Sequence, residues 1–233
     1  MPFVFPSDEL DISKYHRFFD DFNMAASATA SDVLAYTSID DSGTGTNAFQ
    51  EVAGGVYNVV TAAADNDYHA MRSPFKNWTF AANKPLWLEA KFKVTEGTVL
   101  ESTWWVGLGD TTTTGGMQAN ALGPLASYTG ALLFKEPETS LNVNAEISIA
   151  AVQSTLSAIG AAVSGANMKA QIYWDGEGFI TMSFFNGTTW VQSAAMPFAA
   201  GTTAMYLLFG IKAGPAGAAE TLQMDYIKIL QMR

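Results

Sequence analysis

The chain has 233 residues, with 22 acidic against 12 basic side chains for a formal charge of −10, and it contains no cysteine. That balance opposes binding to nucleic-acid phosphate, which needs clustered Lys and Arg, and the missing thiols remove disulfides, thiolate nucleophiles and zinc–thiolate sites together. A chain of this length buries roughly 70% of its unfolded surface, and a composition of 48% hydrophobic and 15% charged residues implies either a large core or an apolar face covered by other subunits.

Residues 1 to 16 read as an arm. Phe3, Val4 and Phe5 sit between Pro2 and Pro6; prolines at this spacing forbid a helix and disfavour a central strand. The aromatic side chains still favour burial, either back on their own domain or on a neighbour. This beginning lacks the basic start and apolar run of a signal peptide, and no window approaches the ~20 apolar residues of a membrane span. The expectation is a protein soluble where it is made, with no membrane partner.

Phe18-Phe19-Asp20-Asp21-Phe22 is a candidate first strand, and the small polar residues from 23 to 48 suggest a segment winding over the surface. Strand character resumes at 54–61, Asp65-Asn66-Asp67 marks a turn, and 68–71 and 78–80 form two short strands. The clearest strand is 84–94, where Leu86, Leu88, Ala90, Phe92 and Val94 point one way and Glu89, Lys91 and Lys93 the other. Residues 103–110 read as a buried strand whose adjacent Trp104 and Trp105 face opposite sides of a sheet. The loop 111–129, with four threonines, Gly115-Gly116 and Gly123-Pro124, is too long for a hairpin, and loops of that length are usually functional or mobile.

Further strands are expected at 130–134 and 141–149. The Ala, Ser and Gly-rich stretch 151–167 fits a weak helix or, favoured by the surrounding pattern, loop and edge strand. Alternation continues at 168–174 and 179–185 around the turn Asp175-Gly176-Glu177-Gly178. Asn186-Gly187 is a strong hairpin signal, with the return beginning at Trp190. Strands at 205–212 and 221–230 finish the series. About a dozen strands predict an all-β fold of two antiparallel sheets packed face to face, a β-sandwich of residues 17–233 carrying the extended arm 1–16.

Four segments in this order carry a family resemblance: Phe19-Asp20-Asp21-Phe22; Lys84-Pro85-Leu86-Trp87-Leu88-Glu89-Ala90-Lys91-Phe92; Trp174-Asp175-Gly176; and Leu222-Gln223-Met224-Asp225-Tyr226-Ile227-Lys228-Ile229-Leu230-Gln231. Together they resemble the concanavalin A-like lectin/glucanase jelly roll, particularly its versions among structural and decoration proteins of tailed bacteriophages. The resemblance runs from about residue 17 to the C-terminus and implies that the first and last strands are neighbours.

Little reactive chemistry is visible. A glycosidase needs two carboxylates flanking a bond. The Glu-x-Asp-x-x-Glu string that the resemblance to glucanases would call for is absent, leaving Asp175 with Glu177 and Glu220 with Asp225 as the nearest substitutes, more simply read as solvated turn and strand-end carboxylates. His16 and His69 are the only imidazoles, and no Gly-x-Ser-x-Gly elbow accompanies them. The expectation is a protein that is not an enzyme and needs no cofactor. Calcium is the ion best suited to the side chains present, with Asp65 and Asp67 as candidates in one turn and Asp40-Asp41-Ser42 in another; ordinary turn chemistry accounts for both. A sugar site would use exposed aromatic rings, and Trp105 and Trp174 are the residues chosen for it from Trp87, Trp105, Trp174 and Trp190.

Two functions follow from the resemblance and the arm. The first is a non-enzymatic virion structural protein, a capsid decoration or cement protein on the outer capsid surface, assembled in the host cytoplasm. It would bridge major capsid protein subunits and act as a homo-oligomer, a trimer being the simplest. Phe3, Val4, Phe5, Tyr15, Thr113, Met117 and Leu122 would make the partner contacts. The second is a carbohydrate-binding lectin-like module, free or displayed on a virus particle.

Overall fold

The computed structural model describes residues 14–22, 36–41, 45–50, 55–97, 101–111, 116–118, 123–136, 140–150 and 152–233. Sixteen strands occupy them: β1 (Tyr15–Asp20), β2 (Thr37–Asp40), β3 (Thr46–Gln50), β4 (Val56–Val60), β5 (Tyr68–Arg72), β6 (Leu86–Thr95), β7 (Thr103–Gly109) and β8 (Gly130–Lys135) in the first part of the chain. The remainder are β9 (Asn142–Ile149), β10 (Val152–Ala161), β11 (Asn167–Trp174), β12 (Phe179–Phe185), β13 (Trp190–Gln192), β14 (Met196–Pro197), β15 (Tyr206–Lys212) and β16 (Thr221–Met232). Every pairing among them is antiparallel.

A nine-stranded sheet runs β13-β12-β11-β6-β16-β4-β3, with β1 also on β16 and β14 on β12, and a seven-stranded sheet runs β10-β9-β8-β7-β15-β5-β2. The two face each other across one core containing Leu86, Leu88, Phe92, Trp104, Trp174, Phe184, Phe209 and Ile229. Period-2 alternation explains the arrangement: in β6 the apolar set from Leu86 to Val94 is buried while Trp87, Lys91 and Lys93 are half-exposed on the other side. The expected adjacency of first and last strands is present, with Tyr15 opposite Met232 and Asp20 opposite Ile227. Tyr15 and His16, assigned to the arm by sequence, are the first residues of β1.

The polar stretch before residue 48 contains β2 and the start of β3, strands too short and too polar to advertise themselves by alternation. Residues 78–80 form no strand; Trp78 makes a single bridge to Met205. The segment after Ala151 is β10, an edge strand paired with β9 and largely exposed. A register shift between Met224 and Tyr226 places Asp225 in a bulge of β16.

Candidate functional site

Trp105 does not present a sugar-stacking surface. It lies on the outer face of the seven-stranded sheet and is 0% exposed. Ile39, Ala70, Gly210, Trp105 and Phe134 stand in one row across β2, β5, β15, β7 and β8. A Cβ on Gly210 would lie 2.4 Å from Trp105 Cζ2, so only glycine leaves room for the indole to lie across that strand. The loop after β7 closes over it: Met117 is buried with Ile39, Ala70, Trp105 and Phe134, and Lys212 Nζ donates to Gln118 O at 3.2 Å. Met117, expected to touch a partner, is therefore part of the protein's own interior, because residues 116–118 fold back on the sheet instead of spreading outward.

Trp174 is also 0% exposed. It points into the core against Phe80 and Phe198 and donates Nε1–H to Ala81 O at 2.9 Å. Both tryptophans chosen for sugar stacking are thus structural; alternation identifies a face but not what covers it. Phe3, Val4, Phe5, Thr113 and Leu122 lie outside the described residues.

A half-exposed aromatic surface lies on the other sheet. On the outer face of the nine-stranded sheet Tyr15, Trp87 and Tyr173 form a ladder, with ring centroids 6.4 Å and 5.2 Å apart. Beside it Phe19 and Tyr226 are 6.4 Å apart, and Lys228 Nζ sits 4.4 Å from the Tyr226 centroid. Arg17, Lys91, Lys93, Lys169 and Lys228 share this face by register, five of the chain's 12 basic residues. Glu89 organises the centre. It is buried by Gln171, which donates to Oε2 at 2.6 Å, by Tyr226, whose hydroxyl donates to Oε1, and by Lys228 at 3.8 Å. Burial and the Glu89 carboxylate push the Tyr226 phenol far above its ordinary value. Trp87 was one of four tryptophans open to a surface role; its half-exposure depends on strand order, which sequence does not give.

The acidic candidates separate into different roles. Asp175 Oδ1 accepts the amides of Glu177, Gly178 and Phe179 at 2.7, 2.9 and 3.0 Å, closing the turn. Asp225 pairs with Lys91 at 2.6 Å, while Glu220 is fully buried and accepts from Gly97 N at 2.8 Å. Sequence reading missed a buried ionic group nearby: Lys135 Nζ lies 3.3 Å from Glu96 Oε1 and donates to Ser102 O, with Ser102 Oγ donating to Glu96 at 2.6 Å. Desolvation holds the Lys135 amine below its ordinary value, opposed by Glu96.

The two acidic turns singled out from sequence meet. Asp40 and Asp41 at the end of β2 and Asp67 before β5 each place an oxygen within 4.8 Å of the others; Asp65 instead accepts from Asn66 Nδ2 in its own turn. Asp41 Oδ1 accepts Tyr68 N at 3.1 Å, and Asp40 Oδ2 accepts Gly45 N at 2.9 Å. Burial, and less strongly the adjacent Asp67, raises the Asp41 carboxyl above its ordinary value. Next to them Ser38 Oγ stands 3.0 Å from His69 Nε2, and Asp40 Oδ2 stands 3.4 Å from His69 Nδ1. This has the order of a nucleophile–base–acid relay, with the Asp40 contact at ion-pair distance; burial lowers the imidazole below its ordinary value, opposed by Asp40.

No protein-family model and no curated protein matches the sequence. Solved structures do match in shape. The galactose complex of lectin UEA-II is 10% identical with a TM-score of 0.63, over 97% of this chain and 100% of that one. The fold is the legume-lectin jelly roll. The exoplasmic/lumenal domain of VIP36, in a Ca2+/Man-bound form, is 11% identical with a TM-score of 0.59 over 92% of this chain and 88% of that one. A protein of unknown function from Shewanella oneidensis MR-1 is 14% identical with a TM-score of 0.59 over 100% and 96%.

Proposed function

We propose that this chain is a non-enzymatic structural protein that works by docking, a decoration protein seated on the major capsid subunits of a virion shell. The observation that carries the reading is the outer face of the nine-stranded sheet, where an aromatic ladder and five of 12 basic residues gather on a protein of charge −10. Aromatic rings and Arg are the groups that anchor protein interfaces, and a cationic stripe on an acidic molecule selects the orientation in which it meets an acidic partner surface. The partner in this reading is the one expected from the resemblance of its sequence segments to phage structural proteins. The opposite sheet supports the reading from the other side, since its outer face is closed by the protein's own loop around Trp105 and Met117. In this reading the Pro2–Pro6 arm extends the same contact, and the working unit is a homotrimer around a shell axis.

A second reading, a carbohydrate-binding lectin-like module, is favoured by the galactose-bound and mannose-bound lectins that share the fold. It would use the same ladder, with Trp87 and Tyr173 as the stacking surface in place of the buried Trp105 and Trp174.

One experiment separates the two. Trp87→Ala and Lys228→Glu are each added to shells stripped of the protein, and to a neutral-glycan array. Docking on capsid protein predicts that both substitutions lower shell occupancy and that the wild type leaves the array empty. Glycan binding predicts array signal that Trp87→Ala abolishes and Lys228→Glu preserves. Full occupancy by both variants removes this face from the mechanism, and a solution mass near 24.9 kDa in place of three times that value removes the trimer.

A further inference from the structure

We propose that Asp40, Asp41 and Asp67 bind a calcium ion at the junction of β2, β5 and the turn before β5. The site lies on the seven-stranded sheet, away from the docking face, and does not depend on it. Three oxygens within 4.8 Å of one another can reach one cation together, since oxygens at about 2.3–2.6 Å on opposite sides of a calcium ion stand about 4.6–5.2 Å apart. Calcium, which takes about 6–8 oxygens in a flexible shell, accommodates such a set more readily than magnesium with its strict octahedron.

Geometry of this kind also arises in ordinary turns, and what distinguishes this one is Asp67. Its side chain is 2% exposed, Oδ2 accepts the Ala62 amide, and Oδ1 is buried with no hydrogen-bond partner. An anionic oxygen taken out of water without a donor is strongly unfavourable, and here it stands beside two more carboxylates. In the same turn Asn66 Oδ1 is likewise buried without a partner. A hard cation satisfies the orphaned oxygen and offsets the mutual repulsion in one step. All three donors are carboxylates, the ligands calcium prefers over softer metals. Asp41 is exposed, which leaves the outer side of the ion open to water ligands.

The bound ion would pin β2, an edge strand of four residues, to the body of the sheet. The test is calorimetric titration of the EDTA-treated full chain with calcium and with magnesium, alongside thermal unfolding and terbium luminescence sensitised by Tyr68, whose phenol is raised by burial and by the charges of Asp41 and Asp40. Calcium is expected to raise the melting temperature of the wild type more than magnesium does. Asp67→Asn, which keeps an oxygen for the Ala62 amide, should weaken calcium binding about tenfold or more and abolish terbium emission, while Asp65→Asn leaves both unchanged. In EDTA, Asp67→Asn should melt at or above the wild type, since it removes the unsatisfied charge. If Asp67→Asn does not fold, the exposed Asp41→Asn must lose calcium affinity in its place. Absence of any calcium response at millimolar concentration, a larger response to magnesium, or equal affinity in the aspartate variants overturns the site.

Discussion

Trp105→Ala separates a structural tryptophan from a ligand platform by the size of what it costs. Trp105 is fully buried although it lies outside the inter-sheet core, held between Gly210 beneath and Met117 above with Ala70 and Phe134 beside it. Truncating an enclosed Trp removes its transfer free energy and leaves a cavity, together about 3–5 kcal/mol. Loss of the ring also removes what the loop at Gly116 and Met117 rests on, which places the cost toward the upper end. For a chain of this size each kcal/mol moves the midpoint by roughly 2–4 °C, so the melting temperature should fall by about 6–20 °C. Thermal unfolding followed by near-ultraviolet circular dichroism reads this directly, with denaturant titration as the check on free energy. A surface aromatic would cost within about 0.5 kcal/mol. A midpoint unchanged within about 2 °C would refute the enclosed arrangement and return Trp105 to the binding surface.

Three further outcomes follow from polar side chains and their partners. Burial raises Glu146 above the carboxylate value of 4.5, against hydrogen bonds from Thr155, Tyr128 and Gln153. The folded chain therefore holds more protons than the unfolded one from 4.5 up to the raised value, and stability declines as pH rises through that window; Glu146→Gln should flatten this slope in urea titrations between about pH 4 and 7. Lys135→Met strands the Glu96 carboxylate, whose side chain is almost wholly buried, and should cost about 3–5 kcal/mol, with most of it recovered in the Lys135→Met/Glu96→Gln double variant. Asp175→Ala leaves three turn amides without their acceptor and should cost about 1–2 kcal/mol in denaturant titrations, whereas Asp175→Asn keeps most of the stability.

Much of the fold was legible because its strands are long and two-faced. The alternation from Leu86 to Val94 predicts β6 and its buried side, and Asn186-Gly187 with Gly187 at φ +101° marks the turn between β12 and β13. The weaker predictions failed for a common reason, that a neighbour distant in sequence decides the outcome. Trp105 has the alternation of a solvent-side residue, and only the return of residues 116–118 over it makes it interior. Trp174 packs against Phe80 and Phe198, neighbours that no local pattern in the sequence announces. The acidic corner was half legible: both Asp-rich turns stood out, but that Asp67 and not Asp65 turns toward Asp40 and Asp41 depends on the pairing of β2 with β5. Lys135 and Glu96, 39 positions apart in the sequence, carried no local signal at all.

The position of β16 bears on how the molecule is made. It lies latest in sequence of all the strands, yet β6 flanks one of its edges along nearly its whole length while β4 and then β1 share the other. Until these twelve residues arrive, β6 and β4 each lack one neighbour and β1 has no place to pair, so the middle of the nine-stranded sheet waits as unzipped edges during synthesis. Such a chain is committed to slow, non-local closure and to a window in which exposed edges invite aggregation, and its yield in cells should respond to chaperone supply more than its finished stability would suggest.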